Sequence, residues 1–446
     1  MLKVVIIGGM AGGMSAAAKL KRNMKDEVAI TVYEKGPVLS VGACGIPFYV
    51  SGMIEDANTL VERTPEEFQT AGIDVKMHHE AVSVDSANKT VTIRNHETNE
   101  TFDDNYDKLV VASGARVRRI PPFNDSWENL HVVRSLDDAV DLKKDLENEA
   151  VKNVIVTGAG FIGLEIAEAC SKKGKNVLIV EFANRILATM DPEITDRLGA
   201  ELIKNGVQFR TDAKVTKLDC DGKRILEVVV ESSGGEEKIP ADLVVNCAGI
   251  VPNAEFIDVK KAVNGAIIVN DRMETSDPDI YAAGDCSIMT SYITDEHQYA
   301  PLGTNANKQG KIIAELLSGK TPQHLKLLGS SALRLFSLDA AKIGLSEIDA
   351  QRLNLDYKVN RITGNSFASY YSPEKVMVKL VYDARSRKLL GAQTLGHGIV
   401  VPRANYFAIA IAADMTVDEF GYIDLCYSPP FSGVWDAALI AATSAK

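Results

Sequence analysis

Two stretches of the chain share one pattern of apolar and polar positions. Each opens on a β-branched run, Val4-Val5-Ile6-Ile7 in the first and Val154-Ile155-Val156 in the second. A glycine-rich turn follows, then an alanine-rich amphipathic helix. Each ends in a second apolar run closed by a glutamate, Glu34 and Glu181. Short apolar runs bounded by turn signals read as strands buried on both faces of a parallel sheet. Residues 3–34 and 152–181 therefore read as βαβ written twice, and the predicted class is α/β with two Rossmann-like dinucleotide-binding domains.

The same pattern places the domain boundaries. The first unit closes on the apolar strand Leu109-Val110-Val111, and Ala112-Ser113-Gly114-Ala115 punctuates a crossing. A second unit spans 112–249 and closes on Leu243-Val244-Val245-Asn246. The chain is expected to return to the first domain over 250–325, through Asp279-Ile280-Tyr281-Ala282-Ala283-Gly284-Asp285. The tail, 326–446, mixes strand-like runs such as residues 376–382 with helices and has no glycine-rich loop, so a third, α+β domain fits. A chain of 446 residues is long enough for two or three cores.

Composition narrows the function. A net charge of −11 argues against nucleic acid as a partner, because phosphate backbones need a positive face. No stretch reaches the roughly 18–20 apolar residues of a membrane span, and the N-terminal run reads as a buried strand rather than a signal peptide. A cytoplasmic protein is the resulting expectation. The six cysteines form no C-x-x-C pair and no zinc-spaced cluster, so no metal site is expected. Cys170, Cys220, Cys247, Cys286 and Cys426 are read as small core hydrophobes. Cys44 alone sits in a setting that suggests chemistry.

The second glycine-rich loop is Gly158-Ala159-Gly160-Phe161-Ile162-Gly163-Leu164-Glu165. Gly158 permits the tight turn, Gly160 leaves room for a pyrophosphate, and Gly163 lets helix and strand pack closely. The helix N-terminus then faces the phosphates. Glu181 is placed to accept ribose hydroxyls and would repel a 2′-phosphate, which favours NADH over NADPH. The first loop, residues 8–13, keeps the first and third glycines as Gly8 and Gly13 but has Met10 in the middle. Glu34 supplies its acid, and Asp285 is a candidate for hydrogen bonding the ribityl chain of a flavin.

At these residues, in this order, the chain resembles the FAD-dependent pyridine nucleotide–disulfide oxidoreductases over essentially its whole length. The resemblance implies an FAD domain in two segments (1–111 and 250–325), an inserted NAD(P)H domain (112–249) and a C-terminal dimerisation domain (326–446) of a homodimer. Candidate cofactor contacts are Gly8, Gly9, Ala11, Gly12, Gly13, Glu34, Lys35, Ser113, Gly114 and Asp285, and, in the second loop, Gly158, Gly160, Phe161, Ile162, Gly163, Glu165 and Glu181. The dithiol members carry a cysteine pair near the first domain's early helix. Here residues 40–48 offer Cys44 alone, which looks like the single-cysteine branch of coenzyme A disulfide reductase, NADH oxidase and NADH peroxidase. Leu302-Gly303 and residues 306–310 resemble that branch too. The oxidase and peroxidase types have a histidine where this chain has Ala11, whereas the coenzyme A disulfide reductases have alanine. Tyr427-Ser428-Pro429-Pro430-Phe431-Ser432 and Ser369-Tyr370-Tyr371 match the two tyrosine motifs of those reductases, which implies that Tyr427 and Tyr370 act across the dimer interface. The chain departs from the pattern at Val41, Ala43 and residues 396–402.

The chemistry of a lone thiol follows from electron count. Two electrons arriving from reduced nicotinamide cannot open an internal disulfide here. Cys44 must instead be oxidised as a mixed disulfide with an outside partner, coenzyme A in the leading case, or as a sulfenic acid. The attacking form is the thiolate, and a turn into a helix at residues 44–47 would help to stabilise it. Tyr427 is the expected proton donor to the leaving thiolate, with Tyr370 orienting or sharing that role. Lys19, Lys21, Arg22 and Lys25 form a basic cluster on the first helix. Of these, Lys19 and Arg22 are the candidates for the phosphates of coenzyme A, with Ser40 a candidate substrate contact. Four functions are compatible with this chemistry: NAD(P)H-dependent reduction of a small disulfide or persulfide, an NADH oxidase, a reductase of a small redox protein, and a non-catalytic redox-sensing flavoprotein.

Overall fold

The computed structural model describes residues 1–123 and 127–446. They form two compact units. The first comprises Met1–Arg118, Val133–Lys143 and Gly249–Leu327, and the second Arg119–Val132, Lys144–Ala248 and Leu328–Lys446.

The first unit is built on a five-stranded parallel sheet. Its order is Ile280–Ala282, Lys108–Val111, Leu2–Ile7, Val28–Tyr33, Asp74–Lys76. Val4, Val5 and Ile6 are fully buried, as are Leu109, Val110 and Val111, which is why these strands read as continuous apolar runs. The helix Ala11–Met24 connects the first two parallel strands and packs along the helix Gly303–Leu317. That contact is close: a Cβ on Gly310 would lie 2.2 Å from the carbonyl oxygen of Gly12. A three-stranded antiparallel sheet, His79–Asp85, Thr90–Asn95 and Thr101–Asn105, adjoins. Residues 112–118 and 133–143 also belong to this unit. Ala115–Val117 pairs antiparallel with Ile250–Pro252, so the outgoing and returning connections form one ribbon.

The second unit repeats the parallel arrangement with the order Val207–Arg210, Asn176–Val180, Asn153–Thr157, Leu243–Asn246, Leu130–Val132. An antiparallel sheet, Lys214–Asp221, Arg224–Ser232 and Gly235–Pro240, follows. The C-terminal part is a five-stranded antiparallel sheet, Ser331–Leu335, Leu338–Gly344, Leu389–Gly396, Lys375–Asp383, Tyr357–Asn365. The helices Val401–Ala412 and Ala437–Thr443 pack on it. Among the described residues no helix is long and apolar enough to cross a membrane.

Candidate functional site

The internal repeat extends to individual hydrogen bonds. In the first loop the backbone N–H groups of Gly9 and Gly36 donate to the two carboxylate oxygens of Glu34 at 2.6 and 2.7 Å. In the second, Ala159 and Ala183 donate to the two oxygens of Glu181 at 2.5 and 2.6 Å. Each acceptor lies one residue past the strand, and each carboxylate oxygen keeps a lone pair for a further donor. Gly8 has φ +106°, and a Cβ there would lie 2.1 Å from the Ala112 carbonyl oxygen. Gly158 has φ +91° and would collide with the Cys247 carbonyl. The third glycines match as well: a Cβ on Gly13 or on Gly163 would sit 2.0 Å from the carbonyl oxygen of the first glycine of its own loop. A Cβ on Gly160 would meet nothing within 4 Å, so its lack of a side chain keeps space open above the loop. Met10, at the matching N-cap position, is exposed. Gly12 faces Ala283, and Ala11 begins the first helix. Phe161 begins the second, with Ile162 exposed beside it.

Glu165 lies in the helix Phe161–Lys172, and its carboxyl is pushed up to about 7 by burial and then by the charge of Glu168. It titrates near neutrality.

Cys44 is exposed, within the 3-10 turn Ala43–Gly45 that runs into the helix Ile46–Ser51 with a proline in its first turn. The expected turn into a helix is therefore present. Ser40, in the left-handed region at φ +54°, ties this segment to the first loop by donating its N–H to the Gly9 carbonyl at 2.8 Å. Gly9 is thus gripped on its carbonyl by Ser40 and on its N–H by Glu34. Cys170 and Cys286 are buried, and burial pushes their thiols up to about 12 and about 11, so they suit the core reading. Cys426 corrects it: this thiol is exposed, because it lies in the irregular segment before Tyr427 rather than in a strand or helix.

Asp285 sits in the short 3-10 turn Gly284–Cys286, and its carboxylate accepts from Arg134 at 2.8 Å. Arg134 was not singled out from sequence. Its only signal there was a charge just ahead of a helix start, 151 residues from its partner. Gly114, at φ +66°, lies against the same guanidinium. The Ser113 hydroxyl donates to the Asn253 carbonyl, and Asn253 in turn hydrogen bonds both Ser113 and Gly114. Lys35 pairs with Glu80, which also contacts His96.

The basic cluster of the first helix divides. The Lys19 ammonium lies 3.5 Å from Glu315, on the face packed against the helix Gly303–Leu317. Lys21, Arg22 and Lys25 line an open pocket of about 380 Å³ together with Arg63, Asp26 and Ile73. Arg63, stacked 4.1 Å over Phe68, is a fourth cation that sequence reasoning missed because it comes from another segment. In the second unit the hydroxyls of Tyr370 and Tyr427 are 3.1 Å apart and solvent-exposed. The Tyr370 hydroxyl raises Tyr427 above the ordinary phenol value.

Residues 2–310 match the family model of the pyridine nucleotide-disulphide oxidoreductases, and residues 331–439 match that family's dimerisation domain. The chain belongs to the pyridine nucleotide-disulphide oxidoreductases. It is 33% identical over 453 residues to the NAD(P)H coenzyme A polysulfide/persulfide reductase of Pyrococcus horikoshii, covering 100% of this chain and 98% of that one. It is 32% identical over 452 residues to an NADH oxidase of Enterococcus faecalis, covering 100% and 99%. The crystal structure of reduced CoADR-RHD from Bacillus anthracis superposes with a TM-score of 0.94 at 32% identity, over 99% of this chain and 80% of that one. The fold expectation, α/β with two dinucleotide-binding domains and a C-terminal dimerisation domain, agrees with these matches. So does the family's use of FAD and NAD(P)H.

Proposed function

We propose that the protein reduces coenzyme A disulfide, or a related low-molecular-weight disulfide or persulfide, with electrons from NADH delivered through FAD to Cys44. The observation that carries this reading is the pairing of an exposed Cys44 with a segment bolted to the first glycine-rich loop through Ser40 and Gly9. A thiol that must meet both a cofactor and an outside substrate needs that combination of anchoring and access.

The residues fit both dinucleotides. Glycines whose Cβ atoms would strike backbone, the open space at Gly160, and two carboxylates with spare lone pairs form two cradles. We assign Gly8, Gly9, Ala11, Gly12, Gly13, Glu34, Lys35, Ser113, Gly114 and Asp285 to FAD, within segments 1–111 and 250–325. Gly158, Gly160, Phe161, Ile162, Gly163, Glu165 and Glu181 are assigned to NADH, within 112–249, and residues 326–446 to the dimer contact. When bound, the two cofactors supply transfer of an electron pair from nicotinamide to sulfur. Glu181 disfavours a 2′-phosphate by charge, which sets the preference for NADH over NADPH.

The chain's own residues do the rest. The Cys44 thiolate attacks one sulfur of R–S–S–R, the substrate S–S bond breaks, and a mixed disulfide forms on Cys44. The expelled thiolate takes the proton of Tyr427, whose raised phenol is fully protonated at neutral pH. An electron pair entering the mixed disulfide breaks its S–S bond, restores the Cys44 thiolate and expels the second thiol as RS⁻, which takes a proton from Tyr427 once solvent has reprotonated the phenol. Arg22, with Lys21, Lys25 and Arg63 around the same pocket, suits the phosphates of coenzyme A, and Ser40 lies beside the thiol segment. Lys19, facing Glu315, is the weaker of the two original phosphate candidates. In the homodimer, Tyr370 and Tyr427 serve the thiol of the opposite protomer, and the enzyme works in the cytoplasm.

The test is anaerobic NADH consumption with coenzyme A disulfide by the FAD-loaded protein, alongside Cys44→Ser. Turnover that disappears in Cys44→Ser is the expected result. The full-length likeness to an NADH oxidase favours oxygen as the second acceptor to try. No anaerobic turnover, with fast NADH loss on admitting air, would refute the disulfide reading.

A further inference from the structure

The tyrosine pair has almost nothing of its own to hold it. Both rings are exposed, Tyr370 at 77% and Tyr427 at 45%, and both sit in segments without regular secondary structure. Arg403 is fully buried in the first turn of the helix Val401–Ala412 and bonds to both of their segments. Its Nε donates to both oxygens of Asp436, at 3.0 and 2.9 Å. Nη2 donates to the Ser366 carbonyl at 2.7 Å and the Phe431 carbonyl at 3.2 Å. Nη1 donates to the Ser366 hydroxyl at 3.2 Å and to the Ile399 carbonyl. Ser366 lies four residues before Tyr370, and Phe431 four residues after Tyr427. The Ala368 N–H donates to the Pro429 carbonyl at 3.3 Å, a second stitch between the same two loops.

We infer that Arg403 is a positioning residue: its guanidinium clamps the loops of Tyr370 and Tyr427 together and so fixes the hydroxyl pair for proton delivery. A buried guanidinium carries a heavy desolvation cost, and one carboxylate cannot satisfy all five of its N–H donors, so the others must find acceptors in the core. The planar fork here spends its remaining donors on carbonyls of both tyrosine loops at once, a geometry that an ammonium cannot reproduce. Asp436 is committed on the other side, since its Oδ1 also caps the helix Ala437–Thr443 by accepting from Ala438 at 2.8 Å. The clamp is therefore anchored to a helix end and does not drift with the loops.

This inference rests on the proton-donor reading of Tyr427, and the experiment separates the two. Arg403→Lys, Tyr427→Phe and the double variant would be compared for kcat and KM with coenzyme A disulfide. Titration of the tyrosines would be followed by NMR of Cζ-labelled protein, assigned with the Phe variants. Misplacing a proton donor by about an ångström costs roughly a hundredfold, so Arg403→Lys should lower kcat by about that factor with KM little moved. In the Tyr427→Phe background the same substitution should add almost nothing. The Tyr427 titration should also fall back toward the ordinary phenol value. Equal losses of kcat in both backgrounds, or an unmoved titration, would overturn the clamp. A Tyr427→Phe enzyme as fast as the wild type sinks the proton-donor reading itself, while the titration still reports whether Arg403 sets the pair. If Arg403→Lys does not fold, Asp436→Asn removes the counter-charge, leaves the capping oxygen, and carries the same comparison.

Discussion

Lys379 offers a sharp test of how the second unit is held together. It lies in the strand Lys375–Asp383 and is 1% exposed, with its ammonium 3.0 Å from Asp191, 3.0 Å from Glu193 and 2.7 Å from Glu347. Asp191 is fully buried and is the N-cap residue of the helix Pro192–Lys204. One cation thus joins the start of that helix to the C-terminal sheet. At 3 Å and an effective dielectric near 20, each such pair is worth about 5 kcal/mol before desolvation is subtracted. Removing the cation from a buried cluster costs about 3–5 kcal/mol, because carboxylates are left buried without it. Here some partners survive: Asp191 still accepts from the side chain of Gln393 and from the N–H groups of Glu347 and Ile348, and Glu193 keeps Arg361. The lower end of the range applies, and Lys379→Met should lose about 3 kcal/mol at pH 7. The pH dependence has a definite sign. Burial is the largest influence on the Glu193 carboxyl and raises it, but the Lys379 hydrogen bond, a backbone hydrogen bond and the charges of Lys379 and Arg361 together outweigh it, and the net shift is downward. A depressed carboxyl contributes stability above its unfolded value, near 4.5, and that stability is lost as the pH falls through the folded value. The gap between wild type and Lys379→Met in urea unfolding should therefore be widest at pH 7 and narrow at pH 4. A gap below about 1 kcal/mol at pH 7, or one that does not narrow, refutes this account.

Two further outcomes follow from other parts of the molecule. Gly310→Ala drives a Cβ to 2.2 Å from the Gly12 carbonyl and 2.9 Å from the Ala16 nitrogen, both backbone atoms that cannot swing away. It should cost roughly 2–3 kcal/mol in thermal unfolding and loosen FAD retention, since the helix that is displaced carries the first loop. Wild-type melting would show that the helices separate freely. Glu165 has the opposite sign from Glu193: its folded value, about 7, lies above the unfolded one, so wild-type stability declines as pH rises between the two. Glu165→Gln should match the wild type at pH 4 and exceed it by about 2 kcal/mol at pH 8, allowing for partial solvent access. Equal offsets at both pH values would show that the carboxyl is not perturbed.

How much of this was legible in the sequence depends on the range of the interaction. The two βαβ units, their glycines and their terminal glutamates were readable because each is a local pattern within about thirty residues, enforced by burial on both faces of a parallel sheet. Even the hydrogen bonds of Glu34 and Glu181 are local, since both ends lie in the same βαβ unit. The exposed Cys44 was readable because no second cysteine competes with it in its segment. What escaped was long-range. Arg134 meets Asp285 across 151 residues, and Arg63 joins Arg22 from a different segment. Cys426 was misread because its position in an irregular stretch, rather than its residue type, decides its exposure. Lys19 was separated from its basic neighbours by helix geometry: it faces the helix Gly303–Leu317, and the pocket lies on the side of Arg22 and Lys25.

The same distinction explains why the two tyrosines could be proposed from sequence and their support could not. Tyr370 and Tyr427 stand in short motifs that can be matched residue by residue. Arg403 is an arginine at the start of an apolar helix, which in sequence reads as a surface charge. Only the closure of three segments around it, at Ser366, Ile399 and Phe431, turns it into a buried clamp. Reactive groups must be exposed and chemically distinctive, so they announce themselves. The groups that aim them can be any residue able to saturate its hydrogen bonds in the dark of the core, and they become visible only with the fold. If the clamp holds the pair as inferred, the reaction depends on a residue that never touches substrate, and the Tyr427→Phe background is where that dependence should vanish.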